Sequence, residues 1–285
     1  MNYIKSFLLG CVSIIFSTSL YAFSTFSITN LNIEWFGNAN ESRTETIHKF
    51  LTENDLFSDV MIFEEIVDIG LLETEIMPDY DCVSYENSNS RHQHVVICVK
   101  PEYSFEMVDG SYTIDAVNVN GRLRPAVHGE VKVNGQPIHI IGVHLKASPD
   151  MSDTRLKQTQ VIADYLKQKK SKDSVIIMGD FNTYGSDTIE MSKQFVNLVE
   201  VTTPEKYSWA STTDKFSKVT HAKLDRIWVS NTLAGKVVSA HIIGPCNGST
   251  ETQVASYNKE VSDHCPVKLI LNDLAKININ HFLPK

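Results

Sequence analysis

Val175-Ile176-Ile177-Met178 runs without a break into Gly179-Asp180-Phe181-Asn182, and this junction of a short apolar run with oxygen-bearing side chains recurs along the chain. Four consecutive apolar residues bounded by turn formers are too few for a buried helix and fit a strand covered on both faces. Val60-Met61-Ile62-Phe63 ends in Glu64-Glu65 in the same way, and Thr29-Asn30-Leu31-Asn32-Ile33-Glu34 carries Asn32 and Glu34. A fourth segment, Val261-Ser262-Asp263-His264-Cys265-Pro266-Val267, sets an Asp/His pair at a strand entrance. Residues two apart in a strand share a face, so Asn32 is expected to point with Glu34, and Asp180 with Asn182. Two carboxylates directly after a buried strand are costly unless a cation compensates them.

The intervening segments alternate in pattern. Phe26–Ile33 reads as a strand, and Ser42–Leu51 has Ile47, Phe50 and Leu51 at helical spacing. A helical stretch through Leu71, Leu72 and Ile76 stops at Pro78. Tyr80–Tyr85 and Val95–Lys100 form one expected hairpin. Ala126–Val133 and Pro137–His144 form a second, around the strong hairpin signal Asn134-Gly135. Ser152 is expected to cap an amphipathic helix carrying Leu156, Ile162, Ala163 and Leu166. Late strands are expected at Lys223–Ser230, Val237–Ile243 and Pro266–Leu271. Hairpins with a few covering helices predict an α/β sandwich of two packed sheets with helices outside. The 285 residues contain no linker-like composition break, which favours one domain over residues 23–285 rather than two. There is no repeat at solenoid or propeller spacing.

Residues 1–22 read differently. Lys5 is the only charge before an apolar run from Phe7 to Leu20, and Ala22 precedes a change to polar, strand-like sequence. That pattern predicts a signal peptide and a secreted or periplasmic protein. The run is short for a spanning helix. Leu8-Leu9-Gly10-Cys11 resembles a lipoprotein cleavage box, but almost no apolar segment precedes Cys11. Loss of Lys5 would move the net charge from −8 to −9, so a polyanionic substrate must be held by a local basic patch or a metal. Cys82, Cys98, Cys246 and Cys265 would remain, and none are spaced as a zinc knuckle. Export permits two bridges, Cys82–Cys98 and Cys246–Cys265, with buried free thiols as the alternative.

Taken singly, the polar junctions have ordinary readings. Asp180-x-Asn182 can be turn chemistry, His144 a satisfied strand-end histidine, and Asp225 the partner of a neighbouring base. Jointly, several oxygen-bearing strand ends with two histidines point to a hard cation, Mg²⁺ with Mn²⁺ or Ca²⁺ as alternatives.

Asn32-x-Glu34, Glu65, His144, Gly179-Asp180-Phe181-Asn182, Asp225 and Ser262-Asp263-His264 resemble, in this order, the deoxyribonuclease I-like endonuclease/exonuclease/phosphatase superfamily. The resemblance runs from about Ser27 to about Leu271. It implies a four-layered α/β sandwich with the site between the ends of its two sheets. It also implies Glu65 as principal metal ligand, Asn32 and Asp263 beside it, and Glu34 in an acidic position of the metal shell. Asp180 and Asn182 would orient phosphate and water, and His264, oriented by Asp225, would be the general base. His144 would be a positively charged general acid or would screen the phosphate. Three positions depart from the family pattern. Glu64 stands where glutamine is common and is expected to add negative charge, Gln93 lies near the position of an acidic partner for His144, and Val67 replaces a minor-groove arginine.

Arg91 with His92 and His94, and Arg122, Arg124, Lys146 and Arg155, are candidate phosphate contacts for a nucleic-acid substrate, with solvated surface charge as the alternative. Sphingomyelinases resemble the chain in the same motifs, which makes a phospholipid head group the alternative substrate. They need an exposed apolar hairpin, for which Tyr103–Met107 is the nearest candidate. Leu224-Asp225-Arg226 also resembles a segment of the inositol-polyphosphate phosphatases, but the Gly179–Asn182 segment lacks their flanking tryptophan and arginine. A non-catalytic binding protein on this scaffold is disfavoured because both the metal glutamate and the histidines are kept. A monomeric nuclease without stable membrane insertion is the expectation.

Overall fold

The computed structural model describes residues 25–38, 41–85, 93–168, 174–213, 218–272 and 274. The expected signal segment and the turn carrying Arg91 and His92 lie outside the described residues.

In chain order the first elements are β1 (Phe26–Phe36), α1 (Thr44–Glu53), β2 (Val60–Ile66), α2 (Ile69–Leu71), β3 (Asp81–Val83) and β4 (His94–Val99). There follow β5 (Phe105–Glu106), β6 (Thr113–Ile114), β7 (Ala126–Val133), β8 (Gln136–His144), α3 (Ser152–Gln168), β9 (Ser174–Asp180) and α4 (Asp187–Gln194). The last are β10 (Leu198–Glu200), β11 (Trp209–Thr213), β12 (Lys218–Ala222), β13 (Asp225–Ser230), α5 (Asn231–Ala234), β14 (Val237–Ile242), α6 (Glu251–Glu260) and β15 (Val267–Leu271). One sheet has the order β14-β15-β1-β2-β4-β3, the other β10-β13-β9-β8-β7-β5 with β6 also on β7, and β11-β12 is a separate hairpin.

Each large sheet is mixed for the same reason. The crossover through α1 makes β1 and β2 parallel, the crossover through α3 makes β8 and β9 parallel, and the other pairings are antiparallel. The carboxyl ends of the parallel strands therefore meet at one end of the sandwich, where their antiparallel neighbours β13 and β15 begin.

Side-chain alternation builds the layers. Ile140, Ile176 and Met178 face the core between the sheets, with Ile28, Ile62 and Ile97 from the other sheet. The alternate residues Ile141, Val143 and Ile177 pack instead with Ile162 of α3 and Met191 of α4. On the other side Ile47 and Leu51 of α1 and Val254 of α6 belong to the same continuous apolar cluster as the first sheet, and Phe50 meets Tyr257 edge-on at 5.2 Å. The expected two-sheet sandwich with helices outside is the observed one.

Local differences have local causes. The stretch after β2 is a short helix through Leu71 that widens into a π-turn at Leu72–Ile76 before Pro78. Ser152 does not cap α3 from outside. It is already helical, a 3-10 turn at Pro149–Met151 precedes it, and its hydroxyl is bonded to Asp187. Asn134 and Gly135 both have positive φ, as the two-residue hairpin turn requires. Cys82 and Cys98 are direct cross-strand partners bridged at a Cα separation of 4.0 Å, and Cys246–Cys265 is bridged at 6.1 Å. Of the Tyr103–Met107 candidate hairpin, Tyr103 packs on Phe26 and Phe105 stacks on Tyr112, which leaves Met107 exposed. Among the described residues no helix is long and apolar enough to cross a membrane.

Candidate active site

Strand register assembles the site. Asp180, the last residue of β9, pairs with His144 of β8 on one side and with Asp225 of β13 on the other. In the facing sheet the β1–β15 pairing ends at Asn30 with Val267, so Asp263 and His264 continue beside Asn32. Ser262 fastens them there, its hydroxyl donating to the Asn32 carbonyl at 2.6 Å and accepting from the His264 amide at 3.0 Å. Gly179 permits the close approach of β8. Its φ is +151°, and a Cβ there would lie 2.0 Å from the Val143 carbonyl oxygen.

Backbone irregularities aim the carboxylates. The β1–β2 register shifts between Asn32 and Phe36, where Glu34 and Trp35 have φ of 31° and 54°. The β2–β4 register shifts between Phe63 and Ile66, with Glu65 at φ 61°, and Asn182 follows β9 at φ 49°. Left-handed non-glycine residues cost about 1–3 kcal/mol each and collect at functional sites. Simple strand alternation therefore does not join Asn32 to Glu34. The Glu34 amide instead donates to Asn32 Oδ1 at 3.0 Å across the bulge.

His264 Nδ1 lies 2.9 Å from Asp225 Oδ2, and its Nε2 faces Asp180 Oδ2 and Asp263 Oδ1, each at 3.9 Å. Asn30 donates to Asp225 Oδ1 at 3.3 Å. Asp180 accepts from the Asn182 amide at 2.8 Å, the Asn182 side chain at 2.9 Å and Asn32 at 3.3 Å. His144 Nε2 sits 3.5 Å from Asp180 Oδ2 and 3.8 Å from Glu65 Oε1. Glu65 also accepts from Gln93 at 2.6 Å, and Arg124 donates to Gln93 Oε1 at 2.8 Å.

Burial disfavours a charged His264, but the charges of Asp225, Asp180 and Asp263 and the bond to Asp225 outweigh it and hold the imidazole pKa well above its usual value. Burial raises the Asp180 carboxyl, with Asp225 and Glu65 adding to the effect and His264 opposing it. His144 is driven the other way, well below its usual value, by burial and by the positive charges of Arg124, His264 and Lys146. The positively charged His144 expected from the sequence is therefore corrected to a neutral imidazole, and its Nδ1 has no hydrogen-bond partner among the described residues. Gln93, near the position of the acidic partner, bonds Glu65 instead. Glu64 is fully buried, and burial with the charges of Asp225 and Asp180 raises its pKa strongly. Burial and these neighbours thus favour its neutral form, against the negative charge expected of it.

Glu34, Glu65 and Asp263 form an oxygen-rich mouth. Burial and the charges of Asp263 and Glu65 push Glu34 up to about 7, an electrostatic strain that a cation would relieve. Among the described residues no three such groups close a coordination sphere by themselves. The residues fit a hard divalent cation.

The basic residues divide. Arg155 is corrected from substrate contact to a buried structural group, paired with Asp187 at 2.7 Å and donating to the Lys146 and Ser148 carbonyls. Asp187 in turn accepts from the Tyr184 amide at 3.0 Å, so the pair braces the loop after Asn182. Arg124 reaches the site through Gln93, whereas Arg122 lies exposed with its amide on Asn120. Sequence reasoning missed Ser208 and Trp209. The Ser208 hydroxyl accepts from the Leu224 and Asp225 amides at 3.0 and 2.9 Å, and the Trp209 indole donates to Asp263 Oδ2 at 2.7 Å. Both lie in an unremarkable strand-like stretch with no spacing relation to the polar junctions.

Two mixed sheets flanked by helices, with carboxylates and imidazoles gathered where the parallel strands end, define the deoxyribonuclease I-like class of fold. The chain belongs to the endonuclease/exonuclease/phosphatase family, whose profile matches residues 30–264. Members of that family are typically phosphoesterase hydrolases and generally depend on a divalent metal. TDP2 from D. rerio, solved in complex with a single-strand DNA product, superposes with a TM-score of 0.68 at 18% identity, over 88% of this chain and 100% of that chain. An endonuclease/exonuclease/phosphatase family protein from Bacteroides thetaiotaomicron gives 0.63 at 16% identity, over 89% and 100%. Beta toxin from Staphylococcus aureus gives 0.61 at 16% identity, over 86% and 99%. At these identities the likeness is one of fold. No curated protein matches the chain by sequence.

Proposed function

We propose that this chain is an exported phosphodiesterase that hydrolyses nucleic-acid phosphodiester bonds with a water activated by His264 and Asp225. The observation that carries this reading is the 2.9 Å Asp225–His264 contact, which leaves Nε2 turned toward the carboxylate mouth. Glu65, Asn32, Asp263 and Glu34 would hold the cation, which when bound would stabilise charge on the phosphate and offset the carboxylates that keep His264 protonated. His264 takes the water's proton at Nε2, while Asp225 fixes its tautomer and orientation. Asp180, held by both nitrogens of Asn182, orients the attacking water, and Asn182 is itself anchored by its side chain on the Leu145 carbonyl at 3.3 Å. Neutral His144 donates a hydrogen bond to the growing negative charge rather than a full positive charge. Arg124, fixed by Gln93, supplies the positive charge beside it.

Nucleic acid is favoured over a lipid by the packing of Tyr103 and Phe105, which leaves no aromatic membrane probe in that hairpin. Purified protein should therefore degrade duplex DNA, single-stranded DNA or RNA with Mg²⁺ or Mn²⁺, and should not turn over sphingomyelin or phosphoinositides. Excess chelator should abolish activity. His264→Ala and Asp180→Asn should each lower turnover by ~10²–10⁴-fold while the protein stays folded. Turnover confined to the lipids would overturn the substrate, and full turnover in chelator would overturn the mechanism.

A further inference from the structure

The β11–β12 hairpin stands apart from both large sheets, yet it touches the site through one side chain that the mechanism above does not use. Trp209 Nε1 donates to Asp263 Oδ2 at 2.7 Å, a short bond from an indole N–H to a carboxylate. The backbone around it fixes the ring's position. Ala210 donates to the Asp263 carbonyl at 3.0 Å, Cys265 donates to the Ser208 carbonyl at 2.8 Å, and Trp209 bridges to His264. Asn258 of α6 ties down the Ala210 carbonyl at 3.0 Å.

We propose that Trp209 is a positioning residue for the cation site, orienting Asp263 so that Oδ1 alone is presented for ligation. The inference rests on the metal reading above. A carboxylate has two equivalent oxygens and rotates about one bond, and the indole takes one of them. The other, Oδ1, is the oxygen that faces His264 Nε2 at 3.9 Å. Without the indole, Asp263 is free to swing toward the imidazole and close an ion pair there, which would withdraw a ligand from the cation and a base from the water. The indole dipole also offsets part of the repulsion among Asp263, Glu34 and Glu65, which otherwise disfavours the gathered arrangement of the three carboxylates. Outer-shell partners of this kind typically change metal affinity by about 10–100-fold when removed.

The test is calorimetric titration of the full chain with Mn²⁺, without substrate. Trp209→Phe keeps an aromatic ring, and replacement by benzothienylalanine removes the N–H while keeping the shape of the indole. Both should weaken Mn²⁺ binding by about 10–100-fold with little change in melting temperature in chelator. In an Asp263→Asn background the same replacements should have no further effect, because the bond acts through that carboxylate. A structural role alone would move melting temperature and leave the coupling to Asp263 at zero. Equal Mn²⁺ affinity in wild type and the benzothienylalanine protein would overturn the inference and leave the metal reading standing. No Mn²⁺ binding by the wild type would overturn both.

Discussion

His264 Nδ1 and Asp225 Oδ2 stand 2.9 Å apart although the residues belong to different sheets, Asp225 opening β13 and His264 preceding β15. The contact joins the two halves of the sandwich at the point where the chemistry is proposed, and its charge state follows from it. Because Asp225, Asp180 and Asp263 outweigh burial, the folded imidazole pKa lies above the unfolded value of about 6.5. The pair's contribution to stability is thus fully present below that value and is lost as pH rises through the folded pKa. In metal-free protein the His264 ring should titrate above ~6.5 by NMR, and Asp225→Asn should bring it down. The stability gap between wild type and Asp225→Asn should close at high pH. A gap that widens with pH would contradict the assignment of charge to this pair.

Glu64 offers a second test with the sign worked through. Its folded pKa is raised by burial and by Asp225 and Asp180, so the folded chain keeps a proton that the unfolded chain releases above its ordinary value of 4.5. Stability from this group is present below 4.5 and is lost as pH rises toward the folded value. Glu64→Gln replaces a neutral carboxyl with a neutral amide of the same shape. The variant should match wild type near pH 4 and become more stable by up to about 1.4 kcal/mol per pH unit above that. Urea midpoints at pH 5 and pH 8 decide the matter, and a variant that loses stability at pH 8 would mean that Glu64 is ionised in the fold.

The register of the site was open to sequence reading wherever a strand ended in a polar residue. Asp180, Asp225 and His144 needed only correct strands to become neighbours. The parallel pairings were not legible, because an apolar run such as Val60–Phe63 looks the same beside either kind of neighbour. The bulges at Glu34 and Glu65 were hidden for a related reason, since period-two alternation predicts facing but not its interruption. Arg155 was misread because charge alone does not separate a rim arginine from a buried one. Its partner Asp187 is 32 residues away in sequence. Trp209 was missed because an indole bonded to a carboxylate leaves no pattern of spacing at all.

Arg155 yields a prediction opposite to that for a substrate contact. The guanidinium is buried against Asp187, and its loss leaves that carboxylate uncompensated. Arg155→Ala should cost about 3–5 kcal/mol of stability, as removal of one partner of a buried ion pair typically does. The salt dependence of nucleic-acid binding, measured at a temperature where the variant is folded, should be unchanged. A shallower salt slope with unaltered stability would return Arg155 to the substrate.

The two disulfides should differ in what their loss does to activity. They close loops of similar length, 16 and 19 residues of sequence separation, so chain entropy gives each a stabilisation of about 3 kcal/mol. Their surroundings are not equivalent. Cys82–Cys98 staples the edge strand β3 to β4, away from the carboxylate mouth. Cys265 directly follows His264, and the segment between Cys246 and Cys265 includes Tyr257, whose hydroxyl donates to the His264 carbonyl at 3.0 Å. Replacing Cys82 and Cys98 by alanine should lower the unfolding midpoint while turnover at low temperature stays near wild type. Replacing Cys246 and Cys265 should lower the midpoint comparably and also reduce turnover in protein that is still folded, because the backbone that aims the imidazole loses its anchor. Turnover measured well below both midpoints separates the two cases. Equal turnover in both double variants would mean that Ser262 and Trp209 are enough to hold His264 in place.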